Sequence, residues 1–245
     1  MDEFLALGWG TWLFCACAVF VGTMIQRLAG QGFGMTASPM LALVAPEFLP
    51  GTILLLGLVV GFGSVFVDLR AVSKHELPPG FLGRALGAVI AAWIALRLAD
   101  PGLFAAMIAC MVYLGIALSL LGVRVAIRPV SLFLASVTGG IMGTLTGVGA
   151  PPMALLYQHE EAQRSATMQN VFFAWGMVVS ILSLVVAGLI STRHLVFAAS
   201  LLPLVLLGLR AAHPLGQRFA KAQIRPYALV LAGIAATILL IKQLL

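Results

Sequence analysis

Apolar runs long enough to cross a lipid bilayer, separated by short loops that hold most of the charge, constrain this chain more than any other feature. They fall near residues 8–29, 51–71, 80–98, 103–123, 129–146, 166–190, 194–212 and 226–244. A helix needs about 20 residues to span the hydrocarbon core. Charged residues make up 9% of the chain, against roughly one quarter in soluble domains, so the runs read as lipid-facing segments. Backbone groups in lipid must be satisfied within a helix or a closed barrel. The period-two alternation of barrel strands is absent. The expected fold is an all-α polytopic membrane protein with no soluble domain.

The formal net charge is +6. Its basic residues sit in short loops beside the apolar runs, where positive-inside topology accounts for them. The expected partner is therefore the lipid bilayer and not nucleic acid. Cys15, Cys17 and Cys110 all lie within apolar runs. Cys15 and Cys17, two residues apart, face different sides of a helix and read as small buried hydrophobes. His75, His159, His194 and His213 show no metal-ligand spacing. No phosphate-binding loop and no Ser/His/Asp or HExxH arrangement appears. No metal, cofactor or enzymatic activity is expected. Asp2 and Glu3 stand where a signal peptide would carry basic residues, so the first helix is expected to be retained.

Two glycine-rich breaks interrupt the runs. Gly30-Gln31-Gly32-Phe33-Gly34 precedes a short apolar segment over about 36–46, and Thr146-Gly147-Val148-Gly149-Ala150-Pro151-Pro152 precedes one ending near Tyr157. Sliding the chain by 113 residues, without a gap, places Gly30 on Gly143, Gly34 on Gly147, Pro39 on Pro152, Glu47 on Glu160, Gly63 on Gly176, Arg97 on Arg210 and Pro101 on Pro214. Gly, Pro, Arg and Glu matched in one register mark two repeats, 1–122 and 123–245. Arg70, Lys74 and Arg84 flank one loop, Arg124 and Arg128 a second, and Arg210, Arg218, Lys221 and Arg225 a third. Placing these inside puts both termini outside, in the periplasm. Each half then makes an odd number of crossings, so the repeats have inverted topology. Inverted repeats with interrupted helices characterise secondary transporters. The charges leave open whether 8–46 forms two crossings or a re-entrant hairpin.

The breaks are the candidate site. Thr36 or Ser38 would cap a helix whose first turn holds Pro39, and Pro151 and Pro152 would open its counterpart. Two helix N-termini directed at the centre would present free N–H groups to an anion, with glycine allowing close approach to the backbone. Small residues also serve as packing faces, so the paired breaks carry this reading and single glycines do not. Arg27, one turn before the first break, costs about 2.5–3.5 kcal/mol inside hydrocarbon. It either pairs with an anion, aided by Gln26 and Gln31, or snorkels to the surface. After the second break, Arg164 and Ser165 are expected to cap a helix, and Gln169 and Asn170 to line a path. The candidate binding residues are Arg27, Gln31, Gly32, Gly34, Thr36, Ser38, Pro39, Thr146, Gly147, Gly149, Pro151, Pro152, Gln169 and Asn170.

Glu47, Asp68, Asp100, Glu160 and Glu161 lie toward the ends of the runs. With no deep carboxylate, export would need no tight proton coupling. Leaving a negative interior gains about 2.3 kcal/mol per charge per 100 mV, roughly a fifty-fold concentration ratio. Glu47 and Glu160, matched between the repeats, are the residues able to alter that.

The segments G-Q-G-F-G then S-P-M-L, and G-x-G-A-P-P-M, resemble the duplicated glycine–proline motif of the TauE/SafE family, bacterial membrane permeases associated with export of sulfite and organosulfonates. The resemblance spans essentially the whole chain. Met35-Thr36 and the single Gly149 replace part of the glycine run often seen in that family. The resemblance implies a ten-segment or eight-plus-hairpin fold in a bacterial inner membrane. It also implies transport of a small inorganic or organosulfur anion, without enzymatic activity. A channel-like anion facilitator and a non-transporting membrane assembly subunit are the alternatives. The sequence leaves open which anion moves, its direction and coupling, and whether the chain forms a homo-oligomer.

Overall fold

A computed structural model describes residues 8–65, 72–97, 101–120, 124–218 and 221–244. Asp2, Glu3, Asp68, Arg70 and Asp100, with the side chains of Arg218, Lys221 and Arg225, lie outside the described residues. Among those described, ten α-helices and no strand occur. They are α1 (Trp9–Ala29), α2 (Phe33–Val44), α3 (Gly51–Val65), α4 (Leu77–Ala95), α5 (Pro101–Leu120), α6 (Pro129–Thr146), α7 (Pro151–Tyr157), α8 (Ala162–Val186), α9 (Thr192–Arg218) and α10 (Lys221–Leu244). Six stretches are long and apolar enough to cross a bilayer: α1, Lys74–Ala95, Gly102–Leu120, α6, α8 and Thr192–Ala212. Bulky apolar side chains such as Leu82, Val89 and Trp93 on α4 stand exposed, as a lipid-facing surface requires. Arg97 stacks over the Trp93 ring at 3.9 Å, the pairing of cation and aromatic found at membrane interfaces.

Each break follows a helix that ends on a left-handed glycine. Gly30 (φ 76) and Gly147 (φ 78) donate their N–H to the carbonyls of Gln26 and Gly143, both at 2.8 Å, a conformation that costs glycine little. The first break differs from its sequence reading. α2 starts at Phe33, so Thr36, Ser38 and Pro39 lie inside the helix and neither hydroxyl caps it. The cap comes instead from the preceding helix: the Gln26 Oε1 accepts the Phe33 N–H at 3.2 Å. The twelve residues of α2 rise about 18 Å, short of the roughly 30 Å core. At the second break Pro151 and Pro152 do open α7, which runs seven residues.

Helices pair in an exchanging pattern. α4 packs on α6 and α8, while α9 packs on α1 and α3; α5 packs on α7, while α10 packs on α2; α3 packs on α8 and α5 on α10. Along the α3–α8 seam, Gly57 meets Met177 and Gly61 meets Ala174, so these helices run antiparallel. Residues 61 and 174 keep the 113-residue spacing. Elsewhere the contacts follow other spacings. Gly30 packs on Ala166 and Gly147 on Ile53; α6 runs a turn further than α1 before its glycine, and α7 is correspondingly shorter than α2. Gly83 packs on the Phe133 carbonyl and Ser136, as Gly208 does on the Phe20 carbonyl and Thr23. In that contact set, the α9 residue matching each α4 residue lies 125 positions on. The gapless register therefore follows α3 and α8 but not α4 and α9.

Candidate functional site

Arg84 defines the site. It belongs to the second turn of α4, and 4% of its surface is exposed, so the sequence reading of it as a loop-flanking charge is corrected here. α4 begins at Leu77-Pro78-Pro79, where proline is favoured in a first turn. That start carries Arg84 into the α6–α8 packing surface. Glycines make the room. A Cβ on Gly139 or Gly143 of α6, on Gly149 of the second break, or on Gly176 of α8 would press against the guanidinium, at 3.2 Å from Nη1 for Gly139 and 2.5 Å from Nη2 for Gly143. The Gly139 carbonyl accepts from Nη1, and the Gly149 carbonyl lies 3.4 Å from the same nitrogen. The Nε–H finds no partner. A charged group held this deep needs compensation, and two carbonyls supply part of it.

A small cavity opens beside the guanidinium, walled by Ser136, Gly149, Ala150, Met153, Gln169, Phe172 and Phe173. Its free space is of the order of one water molecule. Among the described residues, Arg84 is the one charged residue lining it. The Gln169 amide Nε2 donates to Ser165 Oγ at 2.9 Å, and its Oε1 is buried without a partner.

The two breaks touch. A Cβ on Gly34 would overlap the Gly147 carbonyl, and one on Gly147 would lie 2.5 Å from Ser38 Oγ. Thr36 and Ser38 are fully buried with unpartnered hydroxyls. Thr146 caps its own break: its hydroxyl donates to the Met142 carbonyl at 2.7 Å and accepts the Val148 N–H at 3.2 Å. Asn170 Oδ1 accepts from Gln26 Nε2 at 3.0 Å, and the same amide donates to the Gly30 carbonyl at 2.9 Å. Asn170 thus ties α8 to the first break. Gly32 (φ 127) leads into α2, and Gln31 keeps a buried, unpartnered Oε1.

Of the sequence candidates, Gly149 and Gln169 stand at the Arg84 cavity, while Gly34, Ser38 and Gly147 meet where the breaks cross. Pro151 packs toward Gly115 of α5. Arg27 is elsewhere, its guanidinium donating to the Gly63 carbonyl near the end of α3. The expected array of free N–H groups is also thinner than the sequence suggested. Gln26 takes the Phe33 N–H, and the prolines leave Met153 as the one residue among the first three of α7 with an N–H to offer.

A charged cluster lies beyond the cavity. Glu76, 4% exposed, accepts from the Tyr157 hydroxyl and pairs with Arg164, which also pairs with Glu160. Ser73 Oγ lies 3.5 Å from Arg164 Nη2. Burial first, and the hydrogen bond to Glu76 second, push the Tyr157 hydroxyl pKa up, so it stays a donor. Tyr157 packs on Phe172 at 6.3 Å between ring centroids, which places the cluster against the cavity wall. Sequence reasoning missed Arg84, Glu76 and Tyr157. For Arg84 the available signal was its place six residues past Pro78, well inside an apolar helix. No group of acidic, His or Cys residues suited to a metal occurs among the described residues.

Comparison with curated proteins and with solved structures returned no match. The model of the family described as Sulfite exporter TauE/SafE matches residues 14–239, and with nearly the whole length covered, this multi-pass helical chain belongs to that family of membrane transporters.

Proposed function

We propose that this chain is a secondary transporter that exports a small sulfur oxyanion or organosulfonate across a bacterial inner membrane, without enzymatic activity, and that it binds its substrate beside Arg84. The observation that carries the reading is the buried Arg84 guanidinium, caged by four glycines in the wall of a cavity, with its Nε–H unpartnered. A lone guanidinium in a dry wall is a strong oxyanion ligand. The site has the form of a closed, occluded state; a substrate reaches it when Met153, Phe172 and Phe173 part.

The finer architecture belongs to the same proposal. The halves 1–122 and 123–245 are two inverted repeats around a pseudo-two-fold axis near the midplane, with both termini periplasmic. The exchange of helix partners and the antiparallel α3–α8 seam support this, because a two-fold in the membrane plane produces both. The breaks sit at the repeat interface, where the α2 start adds its remaining N–H groups, those of Gly34 and Met35, to the electrostatics of the site. Rocking of one repeat against the other would expose Arg84 alternately to each side. The closed cavity favours this over a channel-like path.

Proteoliposomes of the purified chain test the reading, with flux measured for sulfite, sulfate, sulfonates and small carboxylates. Uptake of the sulfur anions that Arg84→Gln abolishes is the expected result. A panel in which no anion moves, or flux that survives the substitution, would overturn it.

A further inference from the structure

The atoms left unsatisfied at the cavity carry a statement about the ligand's charge and protonation that the family match does not contain. Arg84 and Gln169, the latter 5% exposed, both line the cavity; Arg84 offers one positive charge and an unpartnered Nε–H, and Gln169 on α8 an unpartnered Oε1. No second cation lines the space among the described residues. The helices around it add none: α6 has no titratable side chain, α8 carries Arg164 at its start, already paired with Glu76 and Glu160, and α7 carries Tyr157, donating to Glu76. The turn before α4 holds Lys74, exposed His75 and that same Glu76.

We infer that the site takes singly charged sulfur oxyanions that themselves carry a hydrogen-bond donor: hydrogensulfite in preference to the sulfite dianion, and hydroxyl-bearing sulfonates in preference to bare alkyl ones. The inference rests on the substrate site proposed above. A dianion beside one guanidinium leaves a buried uncompensated charge, which is strongly disfavoured. A fully deprotonated oxyanion satisfies Nε–H but sets one of its own acceptors against Gln169 Oε1. A ligand O–H donates there and completes both groups.

The test is binding by titration calorimetry on the purified full chain, from slightly acid to slightly alkaline pH, across the second ionisation of sulfurous acid. Affinity for total sulfite should fall about tenfold per pH unit above that ionisation, because the bound form carries the proton. Methanesulfonate, ionised throughout, should show no such slope, which separates titration of the ligand from titration of the protein. Hydroxyethanesulfonate should bind more than about threefold tighter than ethanesulfonate, a difference of roughly 0.7 kcal/mol, and Gln169→Leu should erase that difference. Sulfite affinity that holds or rises with pH, or a hydroxyl that brings no gain in the wild type, overturns the inference while leaving the site in place. Binding that persists in Arg84→Gln removes the site itself, whatever the pH slope.

Discussion

α4 and α9 meet the rest of the molecule through matched contacts and carry opposite chemistry. Gly83 and Gly208 seat the two helices against Phe133 and Phe20. One residue further on, α4 places Arg84 against Gly176 and α9 places Leu209 against Gly63. The neighbouring helices differ in the same sense. α6 offers Gly139 to the guanidinium, whereas α1, at the position 113 residues earlier, carries Gln26, whose amide bonds Gly30 and Asn170. The two helices share this packing contact, and the buried charge stands on one of them. Glycine at 63 and at 176 makes room for the side chain opposite, and what that side chain is decides whether the glycine also serves a site.

The strongest way to break this comparison is to move or remove the charge. Arg84→Gln should lower anion flux in proteoliposomes by more than about a hundred-fold, close to 3 kcal/mol, the scale of a lost charge-assisted hydrogen-bond set. Arg84→Met should lose flux equally yet stay folded, because replacing a buried charge by an apolar group of similar size is often neutral. The reciprocal Leu209→Arg should yield little folded protein, since α1 carries Gln26 where α6 has the Gly139 that makes room for the guanidinium. A well-folded Leu209→Arg chain in size-exclusion profiles would sink the idea that one half alone is shaped for a cation.

Next come the two glycines. Gly176→Ala sets a methyl into the Arg84 Nε and Cζ region, and Gly63→Ala sets one 2.5 Å from Leu209 Cδ1. Both should cost about 1–3 kcal/mol in thermal unfolding through overpacking. Gly176→Ala alone should also cut flux, by about tenfold at equal loading. Equal flux losses would mean that the glycines act only through packing.

A smaller effect is expected at the charged cluster. Glu76→Gln leaves Arg164 its second partner, Glu160, so the loss should be about 2 kcal/mol of stability, below that for stranding a buried charge outright. Unfolding in detergent measures it, and an unchanged midpoint would show that the pair contributes nothing. Smallest of all, Arg27→Gln removes a bond to the Gly63 carbonyl, outside the cavity. Flux should stay within about threefold of wild type, under 1 kcal/mol. A collapse comparable to that of Arg84→Gln would bring Arg27 back as an anion ligand.

The sequence by itself determined the helical membrane fold and the two breaks, and it placed the helices to within a few residues at their ends. Apolar runs, Gly and Pro act locally: a run of the right length has no alternative to a helix in lipid, and Gly30 and Gly147 end their helices whatever surrounds them. The family resemblance was legible for the same reason, since its motif is a contiguous string. Three things were decided only in the tertiary structure. The α2 cap came from Gln26, seven residues away from Phe33 across the break, while Thr36 and Ser38 stayed inside the helix. The shifted α4–α9 correspondence arose because loops absorb insertions that a gapless comparison cannot see. Above all, Arg84 looked like an ordinary positive-inside charge, one of several basic residues near a loop. Its burial depends on whether helices distant in sequence leave room for a guanidinium, and that room is made by Gly139, Gly143, Gly149 and Gly176 jointly. A sequence states how long a helix is and where it breaks; which charge ends up inside is set by the side chains that its neighbours lack.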